Sequence, residues 1–107
     1  MNDIAFADPV LLAFRAALQE MYGEQLDRIV LFGSRARGEA RSDSDYDVAV
    51  FLKSLPDRWA ELDRLADLRT TFLEQTGAFF DAKPYEAAAI NDASPLMYEV
   101  RRDGLTL

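Results

Sequence analysis

The stretch from Ile29 to Phe51 constrains the chain more than any other. An apolar run, Ile29-Val30-Leu31-Phe32, leads into a Gly33-Ser34 turn and a basic spacer holding Arg35, Arg37 and Arg41. Asp45-Tyr46-Asp47 then opens a second apolar run that ends at Phe51. Read as strands, the runs rise about 3.3 Å per residue with alternate side chains on opposite faces, so Asp45 and Asp47 point the same way, their Cα atoms roughly 6 to 7 Å apart. Two carboxylates projecting in parallel from one strand have the geometry of a metal site.

Two divalent ions held about 3.5 to 4 Å apart need oxygen ligands between them, and a rigid strand supplies these without ordering a loop. Mg²⁺ takes few carboxylates and completes its shell with phosphate oxygens and waters, so the pair implies a phosphate-bearing substrate. The turn suits such a substrate. Gly33 allows close backbone approach, Ser34 offers an N–H and a hydroxyl, and the residues after it read as the first turn of a short helix, an anion site. Arg35, Arg37 and Arg41 add positive charge. Taken singly, an Asp-X-Asp is often only a solvated turn. The weight lies in the coincidence of turn, basic spacer, acidic pair and flanking strands.

Gly33-Ser34, a ten-residue spacer and Asp45-Tyr46-Asp47 resemble the signature of the DNA polymerase beta-like nucleotidyltransferases. The run GSRARGEARSDSDYDVAV is similar to that of the minimal nucleotidyltransferases, the small partners of HEPN-domain proteins in prokaryotic toxin-antitoxin pairs. The resemblance implies an α/β (α+β) fold, a small mixed β-sheet with helices packed on it. It also implies two Mg²⁺ ions, ATP as substrate, and a third carboxylate from a later strand beside the acidic pair.

Composition narrows the chemistry. The 107 residues leave room for one domain, expected over 1–107. There is no cysteine and no histidine, so thiolate sites, cysteine nucleophiles and histidine general bases are excluded; catalysis must rest on carboxylates, hydroxyls, Lys, Arg and metals. A net charge of −7 lacks the general attraction to phosphates that nucleic-acid binding draws on, so a role on long DNA or RNA is disfavoured. No stretch approaches the roughly 20 apolar residues of a membrane span and no leader pattern is visible, so the cytoplasm is the expected location.

Met1 to Ala7 is expected to be a frayed lead-in. Asp8 and Pro9 read as N-cap and first residue of a helix carrying Val10, Leu11, Phe14, Ala17, Leu18, Met21 and Tyr22 at helical spacing and stopped by Gly23. Arg28 to Phe32 is the first strand and Tyr46 to Leu52 the second, with Asp43 a turn residue ahead of it. Asp57 caps a helix running to Thr76, in which Trp59, Leu62, Leu65, Ala66, Arg69, Phe72 and Leu73 trace a stripe expected to be core, Trp59 included; Gly77 ends it. Ala78 to Lys83 reads as a third strand closed by Pro84. Asp81 sits in its middle among apolar residues, where an unpaired carboxylate is costly, and by position it is the candidate third carboxylate. Glu86 is the rival, beyond Pro84 and of opposite parity. Lys83 shares the parity of Asp81 and is placed to touch the triphosphate or pair with the carboxylates. Ser94 and Pro95 open a last helix to about Arg102, stopped by Gly104.

The resemblance thus implies transfer of AMP from ATP to a hydroxyl. Asp45, Asp47 and Asp81 would be catalytic and metal-binding, and Gly33, Ser34, Arg35 and Arg37 would hold the nucleotide phosphates. The implied acceptor is a tyrosine of a cognate HEPN toxin, which makes the chain an antitoxin. Two other functions fit the same residues: a small-molecule nucleotidyltransferase like the aminoglycoside-modifying enzymes, and an antitoxin that neutralises its toxin by binding alone.

Overall fold

A computed structural model describes residues 7–107; the expected lead-in, apart from Ala7, falls outside them. Helix α1, Pro9–Tyr22, starts where the sequence places it because the Asp8 carboxylate accepts from the amides of Val10 and Leu11 at 3.0 and 3.1 Å. Leu11, Phe14, Leu18 and Tyr22 form its buried face. Gly23, with φ 53°, ends it.

Strand β1, Leu26–Phe32, runs antiparallel to β2, Tyr46–Leu52. Helix α2, Arg58–Thr76, crosses over to β3, Phe80–Glu86, which lies parallel to β2; a parallel neighbour requires such a crossover. Helix α3, Pro95–Asp103, is capped by the Ser94 hydroxyl and leads to the short strand β4, Leu105–Thr106, antiparallel to β1. The sheet order is β3-β2-β1-β4. No helix among the described residues is long and apolar enough to cross a membrane.

Alternation along the strands divides the core in two. Ile29 and Leu31, Tyr46, Val48 and Val50, and Phe80 and Ala82 face α1 and α2 in the larger cluster. Val30, Ala49 and Phe51 face the other way and meet Met97 and Val100 of α3. An aromatic column binds the larger cluster: Phe80 stacks on Phe14 with centroids 3.8 Å apart and on Tyr46 at 4.5 Å. Asp47 lies on the smaller, α3 side, in line with Ala49 and Phe51.

Two expectations are corrected. Pro84 does not close β3: the strand begins at Phe80 and continues through a buried Pro84, paired with Val50, to Glu86. β3 is an edge strand, and the Pro84 carbonyl is met on the outside by the Arg58 guanidinium at 2.6 Å, so the absent N–H falls where no ladder bond is required. Nor is Trp59 core; it is 78% exposed. The stripe read from the sequence merges two neighbouring rows. Arg58, Leu65 and Phe72, seven residues apart, form the row turned to the sheet, with Leu65 and Phe72 buried. Trp59, Ala66 and Leu73 sit one residue further on, about 100° round the helix, and face outward.

Candidate active site

The parallel register of β2 and β3 sets Asp47 directly opposite Asp81 and Ala49 opposite Lys83. Register partners in a sheet project to one face, so the two carboxylates are neighbours on the α3 side. Asp45, two residues before Asp47 and just ahead of β2, shares that parity and is exposed. Asp43 is exposed in the preceding turn. Glu86 stands at the far end of β3, opposite Leu52, away from the pair.

The Gly33 bend lies against this group. Gly33 has φ 77°, and a methyl at its Cα would come within 2.2 Å of the Asp47 Oδ2. Asp47 therefore packs on bare backbone, contact that only glycine permits. The residues after it make a single helix-like turn that does not continue into a helix: the amide of Arg37 donates to the Gly33 carbonyl at 3.1 Å and that of Glu39 to the Ser34 carbonyl at 2.9 Å.

Asp47 is half-buried, and its carboxyl is pushed above the ordinary value. Burial is the main cause, followed by the charges of Asp81, Asp45 and Glu99, with Arg37 opposing. Such a group gains from a cation. The donors are hard oxygens, as Mg²⁺ prefers, but among the described residues no three acidic side chains close round a common point. Mg²⁺ commonly takes one or two carboxylates and fills the rest of its shell from phosphates and water, so the set fits a metal that brings most of its other oxygen ligands with it. Lys83 reaches the Asp81 Oδ1 at 3.8 Å and is the resident cation. A small cavity of about 120 Å³ lined by Asp47, Asp81, Lys83, Tyr85 and Leu96 adjoins the group.

The two nearby arginines part company. Arg37 lies 2.5 Å from Glu39 and just under 4 Å from Glu99 and Asp103 of α3, on the carboxylate side. Arg35, expected on the phosphates, turns to the opposite side of the bend. It donates to the Ser44 carbonyl from Nε at 3.0 Å and Nη2 at 2.8 Å, and lies 3.8 Å over the Tyr46 ring. A larger cavity of about 280 Å³ lies there, lined by Asp8, Leu11, Arg35 and Tyr46 and remote in parity from the aspartates. Chemistry, not size, selects the candidate: the smaller cavity is lined by two neighbouring carboxylates, Asp47 and Asp81.

Sequence reasoning passed over Glu99, Asp103 and the link from the Tyr46 hydroxyl to the Asp8 carboxylate. The signal for the first two was there, since acids four apart on α3 share a helical face. Nothing local pointed to the third, whose partners lie 38 positions apart.

Comparison with known proteins agrees with this architecture. Two Methanocaldococcus jannaschii proteins, both named provisionally as protein adenylyltransferases, are similar to it. One is 42% identical over 65 residues, covering 61% of this chain and 43% of the relative. The other is 36% identical over 47 residues, covering 44% and 48%. The chain thus spans less than half the length of the curated relatives it matches. Among solved structures, a toxin-antitoxin pair with AMP-PNP superposes with TM-score 0.59 at 22% identity, covering 88% of this chain and 69% of the other. A variant of the MntA-HpeT toxin-antitoxin pair gives 0.60 at 23%, covering 90% and 70%. A Sulfolobus solfataricus protein named provisionally as a nucleotidyltransferase gives 0.51 at 16%, covering 96% and 77%. At these identities the structural likeness establishes the fold, a four-stranded mixed sheet with three helices. Residues 11–94 match the nucleotidyltransferase domain family, and the chain belongs to it.

Proposed function

We propose that the chain transfers AMP from ATP to the hydroxyl of a tyrosine on a cognate HEPN toxin, silencing it, and so acts as an antitoxin. The observation that carries the chemistry is the pairing of Asp47 with Asp81 beneath the Gly33 bend. The protein acceptor is supported by the relatives named as protein adenylyltransferases and by the toxin-antitoxin pairs that share the fold.

Asp45, Asp47 and Asp81 would hold two Mg²⁺ ions, which supply positive charge against the attacking and leaving oxygens. The chain's own groups do the rest. The Gly33-Ser34 backbone and Arg37 bind the β and γ phosphates and so aim the α phosphorus at the acceptor. Asp81 takes the hydroxyl proton as the oxygen bonds to the α phosphorus and the bond to pyrophosphate breaks. The Asp81–Lys83 ion pair at 3.8 Å must loosen first, freeing Lys83 for the departing phosphates.

That same ion pair favours a second reading, an antitoxin that works by binding alone, since it partly satisfies Asp81 without metal. One experiment separates the two. Purified chain, its neighbouring-gene product, Mg²⁺ and ATP labelled at the α phosphate should yield label on a partner tyrosine. Toxin suppression that survives alanine at Asp45, Asp47 and Asp81 together establishes masking; label on an aminoglycoside and not on protein establishes a small-molecule enzyme.

A further inference from the structure

Asp45 is the exposed member of the acidic group, and among the described residues its carboxylate has no hydrogen bond or ion pair of its own. Its direction is set by the backbone on either side. On one side stands Ser44, whose carbonyl receives both Nε and Nη2 of Arg35, at 3.0 and 2.8 Å. The same Nη2 reaches the carbonyls of Ser42 at 3.4 Å and Arg41 at 3.5 Å. The turn is closed on itself as well, the Arg41 amide donating to Ser44 Oγ at 2.8 Å and the Ser44 amide to the Arg41 carbonyl at 3.1 Å. On the other side stands Tyr46, whose amide donates to the Phe79 carbonyl at 2.8 Å. Its ring is stacked on Phe80 and covered by Arg35, and its hydroxyl donates to Asp8.

We propose that Arg35 is a positioning residue for Asp45 and not a phosphate ligand: its guanidinium clamps the carbonyls of the 41–44 turn onto the Tyr46 ring and so fixes where β2 presents its first carboxylate. The proposal rests on the adenylyl-transfer reading only in taking Asp45 as a metal ligand. The geometry decides between the two roles of Arg35. Two of its three nitrogens are committed to the turn, and its stacking partner Tyr46 faces the opposite side of the sheet from Asp47. To reach a phosphate beside Gly33 it would abandon both, taking its donors from the Ser42 and Ser44 carbonyls and leaving the Arg41 carbonyl only the Ser44 amide. A planar fork that stacks and donates in parallel is a task for arginine and not for lysine.

The test uses the full chain with Mn²⁺ and AMP-PNP, free Mn²⁺ being followed by electron paramagnetic resonance and the fold by thermal melting. Arg35→Met, which keeps the apolar stem over Tyr46, should weaken Mn²⁺ binding by about tenfold to a hundredfold, as the loss of groups that orient a metal ligand does. In the transfer assay at saturating metal, KM for ATP should stay unchanged while kcat falls. If Arg35→Met does not fold, Arg35→Lys serves, with a shift in the same direction and of smaller size. A raised KM for ATP with wild-type Mn²⁺ binding makes Arg35 a phosphate ligand and overturns the proposal, as does an Arg35 variant that matches wild type in both. Wild-type chain that takes up no Mn²⁺ overturns the metal reading itself, and the proposal with it. Wild-type chain that binds Mn²⁺ yet transfers no AMP counts against the transferase reading alone, since the variant's loss of Mn²⁺ is still measured.

Discussion

Gly33→Ala separates the fold from the site more cleanly than removal of any aspartate. The methyl would enter 2.2 Å from the Asp47 Oδ2, 3.1 Å from its Cγ and 3.3 Å from its Cβ. The atom struck is the end of a side chain and not backbone, so the clash is relieved by turning the carboxylate aside. Holding alanine at φ 77° costs about 1 to 2 kcal/mol, which a folded domain of this size survives. The site does not. Restoring an ordinary contact moves the carboxylate by about 1 Å, and misplacement on that scale costs on the order of a hundredfold in rate. Melting should therefore show a drop of about 4 to 16 °C, at roughly 4 to 8 °C per kcal/mol, with the chain still folded at 25 °C, beside a transfer rate about a hundredfold down. A Gly33→Ala chain with wild-type rate would refute the claim that Asp47 works in contact with this bend.

The Asp47 carboxyl is held above its ordinary value of 3.8 by burial and then by Asp81, Asp45 and Glu99, so its ionised form opposes folding at neutral pH. Asp47→Asn should raise Tm at pH 7, and that advantage should shrink as pH falls through the raised value and vanish below the ordinary one; thermal melts across pH check this, and a lowered Tm at pH 7 contradicts it. Asp8→Ala removes an N-cap worth about 1 kcal/mol and the Tyr46 hydroxyl's partner, worth about another, so urea melts should show a loss of about 2 kcal/mol. Trp59→Ser should move stability by no more than about 0.5 kcal/mol, while Phe14→Ala, in the aromatic column, should cost about 3 to 5 kcal/mol. Equal losses for these two would mean that α2 turns its other row inward.

Much of the fold was legible because its signals are local. Asp8-Pro9 and Gly23 bound α1, Asp57 and Gly77 bound α2, and the apolar run from Tyr46 to Leu52 defines β2, each within a few residues. The common parity of Asp45 and Asp47 followed from the strand alone. What escaped depends on tertiary partners. Pro84 looked like a terminator because nothing local says that β3 lies at an edge with Arg58 beside it. Trp59 looked like core because two adjacent helical rows were both apolar, and only the position of the sheet selects Leu65 and Phe72. Arg35 was grouped with Arg37 by charge and nearness in sequence, yet the turn at Gly33 sends the two to opposite sides.

Crystals of the chain grown with AMP-PNP and Mn²⁺, with data collected at the manganese edge, test the central claim most directly. The account predicts an anomalous peak within about 2.5 Å of carboxylate oxygens of both Asp47 and Asp81, with the nucleotide phosphates against Gly33. A nucleotide bound with its metal remote from both aspartates would contradict it.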